Sequence, residues 1–232
     1  MLRMSDRLAD NLHCVTVEIA AACSRAGRSP DEVTLVAVTK YTELVWVRRL
    51  IELGVRNLGE SRPQQLLERA EQLPSEVHWH MIGHLQRNKV KPVLPRTVLI
   101  HSVDSLRLLE RISVLAAELS LRPRVLLEVN VSGEASKDGL MDTELIAQWD
   151  AIQAVPNVDV AGLMTMAPLT SDSSVARRVF RSLRQLRDEL ATRAATHIKL
   201  TELSMGMSGD FAVAIEEGAT LVRIGSRLFE GL

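Results

Sequence analysis

The chain has 232 residues, 46% of them hydrophobic and 25% charged, with 28 Lys+Arg against 29 Asp+Glu for a formal net charge of −1. This composition fits a globular protein with a sizeable core. It lacks the basic excess of a nucleic-acid binder and any run near the roughly 20 apolar residues of a spanning helix, so neither nucleic acid nor membrane is an expected partner. Aromatic residues make up only 3%, which leaves the core to Leu, Val, Ile, Ala and Met.

The first residues, Met1-Leu2-Arg3-Met4-Ser5-Asp6-Arg7, carry no apolar signal-peptide core. Periodicity predicts a leading helix over 5–26, with Leu8, Leu12, Val15 and Ile19 on one stripe and Gly27 as its stop. Cys14 and Cys23, nine apart on that helix, face opposite sides and should stay unpaired, as in a reducing cytoplasm. Next comes Val33-Thr34-Leu35-Val36-Ala37-Val38-Thr39-Lys40, an apolar run suited to a parallel strand buried on both faces. From there strands and helices alternate. Strands are expected at 56–59, 77–82, 97–101, 124–131, 158–164, 201–204 and 220–224. Helices are expected at 43–53, 63–73, 86–91, 105–119, 143–154, 173–193 and 210–216. Eight strands, seven intervening helices and one leading helix match a single α/β domain over residues 1–232, a (β/α)8 TIM-type barrel with an extra N-terminal helix. The short second and seventh strands leave an open doubly wound sheet as the alternative.

Lys40 ends the first strand, where barrels and open sheets place their ligands. Alternation puts it on one face with Thr34, Val36 and Val38. At the mouth of an apolar layer an amine loses its proton more readily, the state a Schiff-base lysine needs. Loops after strands 7 and 8 are a recurrent phosphate site in barrels. Here they read Ser204-Met205-Gly206-Met207-Ser208-Gly209-Asp210 and Arg223-Ile224-Gly225-Ser226. Small residues let the backbone approach an anion. A lysine facing a phosphate cradle suggests a carbonyl bearing a phosphate, and pyridoxal 5'-phosphate (PLP) is the leading candidate. Arg223 would then meet the pyridine nitrogen, keep it unprotonated and weaken the ring as an electron sink.

At this point a family resemblance emerges. Val36-Ala37-Val38-Thr39-Lys40, Gly59-Glu60, His80-Met81-Ile82-Gly83-His84-Leu85-Gln86-Arg87-Asn88-Lys89 and Asn130-Val131-Ser132 resemble the pyridoxal phosphate homeostasis proteins. So do Lys137-Asp138-Gly139, Gly162-Leu163-Met164, Leu203-Ser204-Met205-Gly206-Met207-Ser208 and Val222-Arg223-Ile224-Gly225. The resemblance implies a fold like the alanine racemase N-terminal domain, with PLP held as a Schiff base on Lys40. It implies phosphate contacts from Ser208, Gly225 and Ser226, with Ser204 and Met207 as further candidates, and Arg223 at the pyridine nitrogen. Lys137 falls where racemase-type barrels place a cation near the ring hydroxyl. Ser61 stands where the family usually has Asn, and its shorter side chain cannot reproduce an amide's reach.

Three rival readings are weighed against this. His78 and His80 form an HxH that, with His84, His101 or His197, resembles a zinc site. Such a site needs a carboxylate near the end of strand 8, where this chain has Arg223. His80 is better read as a strand-end residue supporting a loop or lining the cofactor pocket, and no metal is expected. Arg177, Arg181 and Arg184 form a stripe expected to be a solvated helix face. The remaining contest is between carrier and enzyme. Related racemases use a second base, a tyrosine from a β-rich domain, and no such domain is expected after strand 8. The sole tyrosine, Tyr41, adjoins Lys40 and is poorly placed to act across the ring. The residues thus offer a poor catalytic kit, and the family resemblance implies storage and delivery of PLP to apo-enzymes, expected here of a cytoplasmic monomer, rather than efficient catalysis. A weakly active racemase-like enzyme and a Schiff-base aldolase on a sugar phosphate are the alternatives.

Overall fold

The computed structural model describes residues 4–134, 138–170 and 172–232. Eight parallel strands close a barrel in chain order. They are β1 (Thr34–Val38), β2 (Asn57–Glu60), β3 (His78–Met81), β4 (Leu99–Val103), β5 (Arg124–Glu128), β6 (Asp159–Met164), β7 (Glu202–Ser204) and β8 (Leu221–Ile224). The last strand pairs back onto the first through Thr34↔Leu221 and Ala37↔Ile224. That pairing excludes the open sheet.

Helices α1 (Met4–Arg25), α2 (Leu44–Glu52), α3 (Pro63–Gln72), α4 (Val90–Val93), α5 (Leu106–Glu118), α6 (Asp142–Gln153), α7 (Ser173–Thr192) and α8 (Phe211–Glu216) surround it. Their limits follow local chemistry. Ser105 caps α5 by accepting the Leu108 N–H, and Asp172 caps α7 by accepting the Ser174 N–H. Along α7, Ala176, Val179, Phe180, Leu183, Leu186 and Leu190 form the buried stripe. The six-residue α8 is too short to cover the outside of the barrel seam. The 22-residue α1 packs against it and buries Leu8, Val15, Ile19, Ala22 and Cys23. Arg7 and Asn11 tie this helix to the carbonyls of Gly231, Leu228 and Glu230 at 3.0 Å each. Both cysteines are free, Cys14 exposed and Cys23 buried.

Three expectations shift. The fourth strand starts at Leu99, two residues later than expected, because a 3-10 turn over Leu94–Arg96 delays it. The fifth stops at Glu128, beyond which only an isolated bridge joins Val129 to Leu140. The arginine stripe of α7 is more than a solvated face. Arg177, Arg181 and Arg184 all converge on Glu217, whose residue is 3% exposed, at 3.0, 3.0 and 3.5 Å. Burial alone would raise the Glu217 pKa, but hydrogen bonds from Arg181 and Arg177 hold it below the usual carboxylate value.

Inside the barrel, Val36, Leu99, Leu126, Ala161, Met164 and Leu221 pack as one apolar cluster. Two residues further along three of these strands, alternation brings His101, Glu128 and Arg223 to the same inner face. The polar residues above the apolar layer prepare the site.

Candidate functional site

A pocket of about 530 Å3 opens at the carboxyl ends of the strands, the face where barrels build their sites. Its walls include Val38 at the end of β1 and Lys40 after it, Ser61 after β2, Ile82–His84 after β3, and Glu128 on β5. Met207, Ser208, Arg223, Gly225 and Ser226, on and after β7 and β8, continue the wall beside β1.

Lys40 lies in a turn two residues beyond β1, and its residue is exposed to solvent rather than enclosed by the apolar layer. The turn is held from below. Thr39 donates its hydroxyl to Glu60 Oε1 at 2.6 Å, and Arg69 of α3 pairs with the same oxygen at 2.9 Å. Arg69 also donates to the Thr39 carbonyl at 3.0 Å and the Thr42 carbonyl at 2.6 Å. One guanidinium therefore grips the backbone on both sides of Lys40. Glu60 is fully buried, and burial raises its pKa while Thr39 and Arg69 counter that shift. Between the gripped carbonyls, Tyr41 adopts φ 65° and stands 76% exposed, its ring 5.9 Å from the Lys40 amine and 5.4 Å from the Arg62 guanidinium. Its side chain is absent from the pocket walls, so Tyr41 does not face Lys40 across the pocket.

On the wall formed by β7 and β8, a turn after β7 closes through the Asp210 N–H to the Met207 carbonyl at 3.1 Å, and Asp210 accepts the Met207 N–H at 2.6 Å. Gly206 sits at φ 91° against α8, where a Cβ would lie 2.5 Å from that of Ala214, so this tight turn requires glycine. The Ser208 hydroxyl accepts the Gly225 N–H at 3.2 Å, joining the two loops. The N–H groups of Ser208, Gly209 and Ser226 have no acceptor among the described residues. These unpaired donors beside hydroxyls form a concavity that an anion would satisfy.

Arg223 lies on the floor, 4% exposed. It donates to the Ser204 hydroxyl and, at 2.9 Å, to the Thr165 carbonyl. Burial pulls its pKa down to about 10, against the opposing effect of Glu128 and Asp210, so it stays cationic at neutral pH. Glu128, 5% exposed, makes no side-chain hydrogen bond to a described residue. Burial, with Asp138 and Asp104 nearby, raises its pKa to about 7 although Arg223 opposes the shift. The pocket therefore holds a carboxyl able to exchange a proton near neutral pH.

The structure thus brings Lys40, Met207, Ser208, Arg223, Gly225 and Ser226 into one pocket. Ser204 lies beneath it, fully buried, with its hydroxyl between Arg223 and His101. Lys137 lies outside the described residues. His80 does not reach the pocket and instead bonds His101 inside the barrel. No cluster that could hold a metal occurs among the described residues. Glu128 and the Glu60–Arg69 pair were missed by sequence reasoning. The signal for Glu128 was its alternation with Leu126, since an acid of that parity faces inward.

The alanine racemase N-terminal domain family matches residues 9–231. A pyridoxal phosphate homeostasis protein of Aquifex aeolicus is 42% identical over 221 residues, covering 95% of this chain and 96% of the relative. The structure of PipY from Synechococcus elongatus with PLP bound has a TM-score of 0.81 at 32% identity, covering 98% of this chain and 100% of PipY. An alanine racemase of Clostridium difficile shares the fold at a TM-score of 0.75 and 14% identity, with 96% of this chain and 56% of the racemase covered. These matches place the chain in the pyridoxal phosphate homeostasis protein family, built on the alanine racemase N-terminal barrel.

Proposed function

We propose that this protein binds PLP as a Schiff base on Lys40 and serves in PLP homeostasis, as a store that delivers the cofactor rather than as an efficient catalyst. The carrying observation is the pocket that joins Lys40 to the unpaired N–H groups of Ser208, Gly209 and Ser226, with Arg223 on its floor. When bound, the cofactor supplies an aldehyde for reversible attachment to an amine. The chain's own residues do the rest. The Arg69–Glu60 pair holds the Lys40 turn, the two loops receive a phosphate, and Met207 completes their wall. Arg223 would face the ring nitrogen as a permanent cation that donates a hydrogen bond without giving up its proton. Lys137 is assigned to the ring-hydroxyl side, as the family resemblance implies.

The position of Tyr41 outside the pocket walls counts against the one tyrosine as a second base and supports a carrier over a racemase. The free, exposed Cys14 thiol suits a reducing cytoplasm. We further propose that the barrel acts as a single domain and as a monomer, with apo-enzymes as its recipients.

Titrating PLP into unloaded protein while following absorbance tests this reading. Wild type is expected to develop a yellow band distinct from free PLP, and Lys40→Ala to leave the spectrum close to that of the free cofactor. A wild-type spectrum that is the sum of protein and free PLP would overturn the reading and favour a Schiff-base aldolase.

A further inference from the structure

We propose that His101, backed by His80 and Asn57, is a positioning residue for Arg223. Together they form a one-directional hydrogen-bond relay that runs through the barrel interior and fixes the guanidinium beneath the pocket. The proposal rests on the reading of Arg223 as the cation facing the cofactor ring.

The relay has four links. Arg223 donates to Ser204 Oγ. Ser204 Oγ lies 2.8 Å from His101 Nδ1, His101 Nε2 lies 2.9 Å from His80 Nδ1, and His80 Nε2 lies 3.1 Å from Asn57 Oδ1. The inventory of donors and acceptors sets its direction. A guanidinium can only donate, so the serine oxygen accepts from Arg223 and its own proton goes to His101 Nδ1. That nitrogen must then be a lone pair, which puts the His101 proton on Nε2, directed at His80 Nδ1. The His80 proton accordingly sits on Nε2 and meets the amide oxygen of Asn57. The reverse direction requires Asn57 to present its amide nitrogen and leaves the Ser204 proton without an acceptor among the described residues. Only one assignment satisfies every proton.

Burial supports neutral rings throughout. His101 is fully buried and its pKa is held well below the ordinary value, chiefly by burial, with His80 and Arg223 adding to the effect. Burial, with His78 and Arg124, pulls His80 down to about 3. The two imidazoles meet edge to face, with centroids 5.1 Å apart at 64°. Neutrality matters because a charged imidazole beside Arg223 would place two cations in one buried site.

The arrangement is costly unless it has a use. Barrel interiors are normally filled by branched apolar side chains. Here β2, β3, β4, β7 and β8 each contribute a polar residue to one connected line, with His101 and Ser204 separated by 103 positions. Satisfied buried networks rigidify what they hold. Ser204 and the Thr165 carbonyl engage different nitrogens of Arg223, and two anchors fix the guanidinium plane. The far end of the relay, Asn57 and His80, lines a separate cavity of about 260 Å3 with His78, Arg124 and Glu202.

Nitrogen-15 NMR of the imidazoles in unloaded wild-type protein tests the relay without any cofactor. Protons on Nε2 of both His80 and His101, with neither ring titrating between about pH 5 and 9, are expected. An Nδ1–H form of either ring, or an imidazolium near neutral pH, overturns the relay. PLP affinity and the absorbance maximum of the bound cofactor, measured on folded variants, test the positioning role. His101→Gln offers an acceptor and a donor in one side chain and is expected to stay within about twofold of wild type, whereas His101→Leu weakens binding about tenfold and shifts the maximum. Asn57→Leu, outside the pocket walls, shifts it in the same direction by less. Equal behaviour of His101→Gln and His101→Leu overturns the positioning role, and so does an unmoved maximum in Asn57→Leu. Absence of PLP binding by wild type would instead defeat the function proposed above, while the NMR result still decides the relay.

Discussion

At the scale of single residues, Glu128 shows how much depends on surroundings. The same side chain on a helix surface would be an ordinary carboxylate, but facing inward on β5 it lies in a desolvated pocket and titrates near pH 7. A carboxyl raised in the folded state contributes stability that is fully present below its ordinary value near 4.5 and is lost as pH rises through about 7. Glu128→Gln is therefore expected to be more stable than wild type at pH 8, by on the order of 1–3 kcal/mol. The advantage shrinks toward pH 5. Thermal melts at the two pH values check this, and a gain of equal size at both would contradict the assignment. The residue was hard to find in sequence because it closes an otherwise apolar run, and its neighbours Asp104, Asp138 and Arg223 come from other parts of the chain.

Elements explain what was legible and what was not. Periodicity located the eight strands and most helices, including α7, whose ends lie within a residue of the expected span, whereas the expected span 86–91 is mostly a 3-10 turn and α4 follows at Val90–Val93. Strand β4 moved because Thr97 and Val98 look strand-forming, while the true strand runs past His101, which the expected span already held, through Ser102 to Val103. Those two polar residues are buried because each has a partner, His101 in Ser204 and His80, and Ser102 in the Gly83 carbonyl at 2.6 Å. Local pattern cannot show such partners. The same holds for the Glu60–Arg69 pair, which links β2 and α3 to the turn that presents Lys40. Arg69→Met would leave Glu60 as an unpaired buried acid and release two carbonyls flanking the lysine. A stability loss of about 3–5 kcal/mol is expected from denaturant unfolding, with weaker PLP uptake by the fraction that folds. A loss below about 1 kcal/mol, in the range of an exposed ion pair, would contradict the role given to this clamp.

Over the whole molecule, barrel closure turns scattered motifs into a site. The strand that presents Lys40 is hydrogen-bonded to the strand that carries Arg223, although the two residues are far apart in the chain. The loop after β7 joins the loop after β8 through the Ser208 hydroxyl and the Gly225 N–H. Long α1 completes the outer wall that short α8 leaves open, which is why the leading helix belongs to the fold. Attachment of PLP to Lys40 is the central claim, and its location can be measured directly. The loaded protein would be reduced with borohydride, digested, and mapped by peptide mass spectrometry. Reduced cofactor on the peptide containing Lys40, and its loss in Lys40→Ala, is the expected result. A reduced adduct on another lysine, or none on a protein that carries PLP, would contradict it.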